Sequence, residues 1–294
     1  MIRTVVTSNG EPSFEASVNG LAIYLDNWAI KAFAKGDPAL RQRFIATLHD
    51  GADLLFSTAH AIEIIGPQGS SSAAFRAFMN DIGAHWYPVE VKVFEVTSRE
   101  QRGLSASKCC YDEDLLRVYF QSGTSEHVRG SGKIIDLSER FFRLGAFVDW
   151  LTPQRDGLRA TTEQFDRIVK ESVNRLRAKL KQDSSWFDRV LPPHQFNPSY
   201  AATFACTHLL RELVSDSGLR IKKGDGMDFG HAVMASAFSN FATLDRQWKR
   251  RVENLPKPNR NPRIYYAPEL GKMVEDIESA LVQLKALRKS PLAL

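Results

Sequence analysis

Four acidic residues sit where the chain changes from one kind of local structure to another. Leu21-Ala22-Ile23-Tyr24-Leu25 runs into Asp26, and Leu54-Leu55-Phe56-Ser57 leads into Thr58-Ala59-His60-Ala61-Ile62-Glu63. Gly226-Met227-Asp228-Phe229-Gly230-His231-Ala232 opens an apolar helix, and Asn240-Phe241-Ala242-Thr243-Leu244 runs into Asp245. In an open parallel sheet, ligands sit outside the carboxyl ends of the strands, so acids placed there can face one shared mouth. Carboxylate oxygens suit hard divalent cations, and magnesium typically takes one or two carboxylates together with phosphate oxygens and water. Such an ion lowers the pKa of water and offsets charge during displacement at phosphorus. No His/Cys set with ligand spacing competes for that task, and His60 and His231 read as packing or supporting groups within helices. Each acid also has a plainer use. Asp26 and Asp245 follow strands and open helices, so capping alone accounts for either.

The elements that must position these acids come in two blocks. In the first, Leu21 to Leu25 reads as a buried strand, and Trp28, Ile30, Phe33 and Ala34 as a short helix stopped by Gly36-Asp37-Pro38. Asp37 and Pro38 restart a helix as cap and first-turn residue. Asp53 to Ser57 is a second strand, Thr58 to Ile65 a helix broken by Gly66-Pro67-Gln68-Gly69, Ala73 to Ile82 another helix, and Trp86 to Val91 a third strand. This alternation argues a parallel sheet with crossover helices. The second block reads as a helix from Asp228 to Phe238, a strand from Phe241 to Leu244, and a short helix from Asp245 to Val252. A strand from Pro262 to Ala267 and a closing helix from Pro268 to Leu287 complete it. Between the blocks the helical period dominates, with candidate helices at Ile134 to Leu151, Thr162 to Lys181 and Tyr200 to Val214. Residues 1–19 read as an arm or short strand, with turn signals at Asn9-Gly10 and Asn19-Gly20.

The chain has 294 residues, 43% of them apolar and 25% charged, which is a globular balance with ample core. Its net charge of +5 suits an anionic partner. Arg246-Gln247-Trp248-Lys249-Arg250-Arg251, followed by Lys257, Arg260 and Arg263, concentrates basic charge just after Asp245. Arg246, Lys249, Arg250 and Arg251 are candidate phosphate contacts and Trp248 a candidate base-stacking group, against the alternative of a solvated helix with Trp248 packed inward. The basic helix carrying Arg167, Lys170, Arg175, Arg177, Lys179 and Lys181 reads as a solvated face. Three cysteines, Cys109, Cys110 and Cys206, are too few for a disulfide framework and lack zinc-site spacing, and Cys206 reads as core. The start of the chain has no signal-peptide apolar stretch and no run suits a membrane span, so the expected compartment is the cytoplasm. No Gly-rich phosphate loop is present, which argues against a nucleotide-binding enzyme of that type.

The series Tyr24-Leu25-Asp26-Asn27, Ser57 to Glu63, Asp228-Phe229-Gly230-His231-Ala232 and Ala242-Thr243-Leu244-Asp245 resembles the motif series of PIN-domain nucleases. That family includes the ribonuclease toxins of bacterial toxin–antitoxin pairs and RNA-processing endonucleases. The resemblance implies a Rossmann-like three-layer α/β/α parallel sheet, Mg²⁺ or Mn²⁺, and phosphodiester hydrolysis. It makes Asp26, Glu63, Asp228 and Asp245 the catalytic metal-site acids, with Thr243 supporting the site through its hydroxyl and Asn27 orienting Asp26. Gly224-Asp225-Gly226-Met227-Asp228 offers two acids for the third role. Asp228 is preferred because His231-Ala232 follows it in the matching register, leaving Asp225 as helix cap or second ligand. The match covers about residues 20–95 and 222–270, within a discontinuous core expected at 20–95 and 222–294. It departs from the small family members in placing a large helical insertion, 96–221, between the second and third acids. The substrate so implied is RNA ahead of DNA, with an antitoxin-like inhibitor among the partners the family admits, and a homodimer is the commonest oligomeric state for such a chain. The rival reading is an inactive PIN-like module that binds nucleic acid or protein.

Overall fold

The computed structural model describes residues 2–6, 12–18, 20–66, 72–105, 110–111, 115–119, 142–256 and 262–289. The turn signal at Asn9-Gly10, the breaker Pro67-Gln68-Gly69, Cys109, Lys257, Arg260 and residues 134–141, where the sequence suggests a helix, lie outside that set.

Strands β1 (Ile2–Val6) and β2 (Pro12–Ala16) pair antiparallel as a separate two-stranded sheet. The remaining strands are β3 (Leu21–Tyr24), β4 (Ala52–Phe56), β5 (Trp86–Pro88), β6 (Phe241–Thr243) and β7 (Arg263–Tyr265). They form one sheet in the order β5-β4-β3-β6-β7, parallel at every junction. All five residues of β4 are buried, as expected for a parallel strand covered on both faces. The fold is therefore α/β with an all-parallel sheet, an arrangement compatible with three α/β/α layers. From β3 the chain winds outward through β4 to β5, then returns to β3's other side with β6 and continues to β7. The strand order reverses between β3 and β6, which is where such sheets open a crevice at their carboxyl ends.

The first block supplies α1 (Asn27–Lys35), α2 (Pro38–His49), α3 (Thr58–Ile64) and α4 (Ala73–Ile82). Asp37 caps α2 with Pro38 at its first turn, and Phe44 of α2 stacks on Phe33 of α1 with ring centroids 4.3 Å apart. β5 ends at Pro88 rather than continuing to Val91, because its partner β4 ends at Phe56, whose carbonyl accepts the Val89 N–H at 2.9 Å. Val89 makes only an isolated antiparallel bridge to Tyr111. After α5 (Val93–Gln101), the inserted helices are α6 (Leu144–Leu151), α7 (Arg155–Gln182), α8 (Ser184–Val190) and α9 (Ala201–Ser215). At 28 residues α7 starts well before the expected Thr162. Its first turns contain Gly157 and little apolar sequence, so they carry no hydrophobic stripe to reveal them. Phe165, Val169 and Val173 form the buried stripe, whereas Ile168 is 43% exposed. Arg177 is not simply solvated. Its guanidinium donates to the Leu213, Asp216 and Leu219 carbonyls and so ties off the end of α9.

The second block contains α10 (Asp225–Phe238), α11 (Arg246–Glu253) and α12 (Leu270–Lys289). Helix α10 is apolar nearly all round and packs against α7, α9 and β6. Such a helix belongs in an interior. Its close neighbours explain two glycines. A Cβ on Gly226 would lie 2.8 Å from the Asp166 backbone, and one on Gly230 would lie 2.9 Å from the Val91 carbonyl oxygen. Inserted and first-block residues share one apolar core, in which Val169 and Leu209 join Ile23 and Phe229. Cys206 is buried there, as its sequence position suggests. Among the described residues no helix is long and apolar enough to cross a membrane.

Candidate functional site

Asp26 follows the central strand β3 and is the N-cap of α1. Its carboxylate accepts the Asn27 backbone N–H at 2.6 Å. Its own N–H donates to Thr243 Oγ1 at 2.8 Å, and Thr243 is fully buried at the end of β6. The Thr243 hydroxyl thus fixes the backbone at Asp26 across the point where strand order reverses. Asn27 acts on Asp26 through its main chain, while its side-chain Oδ1 is buried with no hydrogen-bond partner among the described residues. Asp245 follows β6 and caps α11, accepting the Trp248 N–H at 2.7 Å. Glu63 lies near the end of α3, which follows β4. Asp228 lies in the first turn of α10. Capping and site-lining therefore coincide at Asp26 and Asp245 rather than exclude each other.

The acids feel one another. Burial, then the Asp245 charge, pushes the Asp26 carboxyl up to about 6, against opposing hydrogen bonds and Lys31. Burial and Asp26 push Glu63 up to about 7, with Lys31 again opposing. As a residue Glu63 is exposed. Burial, then Asp26, Asp245, Glu63 and Asp225, push Asp228 up to about 7. Asp228 is thus the hub of the set, and Lys31 is a nearby counter-charge that the sequence motifs do not mark. Like charges gathered in a partly buried mouth disfavour ionisation, and this accounts for all three shifts.

The insertion positions Asp228. Asp166 on α7 accepts the Gly224 N–H at 3.1 Å and the Gly226 N–H at 2.8 Å through one oxygen. It therefore caps α10 from another helix, and the left-handed φ of +98° at Gly224 turns the chain into that cap. Asp225, expected as the cap, is instead the first helical residue, and its carboxylate accepts the Lys222 N–H at 2.6 Å. The expectation is corrected because Asp166 already occupies the helix end. Replacing Asp166 by Ala is expected to cost about 0.5–2 kcal/mol, the range for a lost N-cap. Denaturant unfolding measures this, and an unchanged midpoint would remove Asp166 from the account.

Among the described residues, no three His, Cys, Asp or Glu side chains stand together as a ready set of metal ligands. Two of the carboxylates are turned towards helix N–H groups. The donors are nonetheless oxygen-only, and their mutual repulsion is only partly offset by Lys31. That chemistry fits Mg²⁺ or Mn²⁺, which keep several waters and need few direct carboxylates. Compared with protein-family models, curated proteins and solved structures, the chain matches none.

The basic run after Asp245 divides. Arg251 is buried, bonds Glu212 at 2.7 Å and lies over the Trp248 ring, and Trp248 itself is buried. Lys249 pairs with Glu269 at 2.6 Å and with Glu253 at 3.7 Å. Arg251 and Trp248 are therefore packed inward, which for Trp248 is the alternative given above. Lys249 is held in internal ion pairs. Arg246 and Arg250 remain exposed, and with Tyr266 they line a concavity of about 530 Å³. A contact missed from the sequence lies at the other flank. Arg155, Arg159 and Thr162 of α7 line a cavity of about 290 Å³ with Glu63.

Proposed function

We propose that this chain is a metal-dependent, PIN-like nuclease that cleaves RNA. The observation that carries the reading is the placement of Asp26 and Asp245 after the neighbouring strands β3 and β6 at the reversal point, with Glu63 on the helix after β4 and Asp228 close enough to feel the charge of the other three. They come from four separate segments, and a set of isolated helix caps would have no reason to repel one another. Asp26, Glu63, Asp228 and Asp245 would hold Mg²⁺ or Mn²⁺, in part through water. The bound ion supplies Lewis acidity at phosphorus oxygens and acidifies water. The protein's own task is to hold the acids in register: Thr243 fixes Asp26, and Asp166 fixes the start of α10.

Basic groups flank the acids on two sides. Arg155 and Arg159 lie beside Glu63 on the β4 side, and Arg246 and Arg250 lie beyond Asp245 on the β6 side. Strands β4 and β6 are two sheet spacings apart, roughly 10 Å. Such a span suits one single-stranded phosphate backbone crossing the strand ends, with phosphate contacts at either side. The test is cleavage of a mixed-sequence single-stranded RNA. Millimolar Mn²⁺ is expected to support cleavage and excess EDTA to stop it. Cleavage that survives EDTA would contradict the reading.

One observation favours a second reading, a PIN-like binding module without activity. The Asp26 and Asp245 carboxylates are engaged in capping, and among the described residues no ligand cage is preassembled. Isothermal titration separates the two, since a binding module shows no Mn²⁺ uptake that depends on the acids.

A further inference from the structure

Beneath the acids lies a polar cluster that the proposed function does not use. Tyr24 and His60 are fully buried, and His231 is 3% exposed. Tyr24 Oη is hydrogen-bonded to His231 Nδ1 across 207 positions of sequence. The His60 and His231 ring centroids are 4.9 Å apart, and the Tyr24 ring lies 5.1 Å from His60 and 5.8 Å from His231. His60 Nδ1 accepts the Ser57 backbone N–H at 3.0 Å, so histidine completes a capping box usually closed by Glu or Gln. A backbone N–H can only donate, which places the His60 ring proton on Nε2. His60 Nε2 and His231 Nε2 are both buried with no hydrogen-bond partner among the described residues. Burial, with the His231 charge second, holds His60 well below its ordinary value, and burial holds His231 at about 4, so both rings are neutral near pH 7. Incompletely satisfied polar groups at this depth are costly, and apolar side chains would fill the same space at less expense.

The spacing suggests what offsets that cost. Tyr24 precedes Asp26 on the same strand exit, His60 lies one helical turn before Glu63, and His231 lies one turn after Asp228. Residues three apart on a helix share a face, so each cluster member is linked to one acid through a short, stiff piece of backbone. Apolar contacts allow elements to slide, whereas a buried hydrogen-bonded network specifies one arrangement. We propose that Tyr24, His60 and His231 are positioning residues that set Asp26, Glu63 and Asp228 relative to one another for a shared divalent cation. The inference rests on the metal-dependent reading above.

The test uses the full chain and the Mn²⁺ ion itself, with free Mn²⁺ followed by its paramagnetic resonance signal. Tyr24→Phe, which deletes one oxygen, and His231→Phe are expected to weaken Mn²⁺ binding about tenfold, at the low end of the roughly 10–100-fold effect of groups that orient metal ligands. His231→Asn, which restores a polar atom near the Nδ1 position, should recover most of the loss. Phe44→Leu, a core change among Phe33 and Phe78 rather than in the cluster, should destabilise the fold but leave Mn²⁺ affinity within about twofold. Wild-type affinity in Tyr24→Phe and His231→Phe, equal loss in Phe44→Leu, or no Mn²⁺ uptake by the wild type would each overturn the proposal. Mn²⁺ uptake that depends on the cluster, in a protein that cleaves no RNA, would sink the nuclease reading and leave the positioning role standing.

Discussion

An Asp26→Asn/Asp228→Asn double variant is expected to lose RNA cleavage by roughly 10²–10³-fold or more, the scale on which removal of a preorganised electrostatic group is felt in catalysis. The same variant, without divalent cations, is expected to melt at a higher temperature than the wild type. Both effects have one cause. The wild-type site gathers negative charge that only a cation neutralises, so Asp26 and Asp228 resist ionising in the fold. Asparagine removes the charge and keeps the shape. At position 26 it also keeps a side-chain oxygen that can accept the Asn27 N–H, and asparagine caps helices as well as aspartate does. Loss of activity with gain of stability is the signature of a functional site, whereas acids that served only as caps would show neither. Cleavage assays and thermal melts in EDTA give both readouts. Unchanged cleavage, or a lower melting temperature for the double variant, would contradict the assignment.

The second large effect links pH, metal and stability. Folded carboxyls raised to about 6 at Asp26 and about 7 at Glu63 and Asp228 bind protons more tightly than the unfolded chain does. Their stabilising contribution is complete below the unfolded carboxyl pKa near ~4 and is lost as pH rises through 6–7. His60 and His231 have the opposite sign. Their contribution is complete above the unfolded imidazole pKa near ~6.5 and is lost as pH falls, for His231 through about 4. Above about pH 7, then, the metal-free protein carries the full cost of its ionised acids. A divalent cation binds those ionised acids and stabilises the native state by mass action. Millimolar Mn²⁺ is therefore expected to raise the melting temperature by several degrees at about pH 8 and by little at about pH 5. The difference should vanish in Asp26→Asn/Asp228→Asn. An equal Mn²⁺ shift at both pH values would place the ion elsewhere on the surface.

Much of the fold was legible because β3, β4 and β6 are apolar runs that stop at a polar residue. The acids following β3 and β6 inherited their positions from those runs. Their second use as caps was legible too, since an aspartate between strand and helix has an obvious partner in the first helical turn. What stayed hidden depends on which helices meet. Nothing local marks Asp166 as the cap of α10, because it lies on a different helix from the N–H groups it accepts. Gly226 and Gly230 make sense only once α7 and the Val91 backbone are known to press against α10. The basic run after Asp245 misled for the same reason, since Glu212 and Glu269, which neutralise Arg251 and Lys249, arrive from distant segments. His60 and His231 were visible as histidines three residues from an acid, but only the winding of the sheet brings the two rings together over Tyr24.

The most direct measurement is the anomalous scattering of Mn²⁺ in crystals of the full chain grown near neutral pH. One or two peaks are expected in the mouth bounded by Asp26, Glu63, Asp228 and Asp245. Those peaks should be absent from crystals of the Asp26→Asn/Asp228→Asn variant. A site that takes up no manganese there, or peaks confined to other surface acids, would contradict the metal-site assignment.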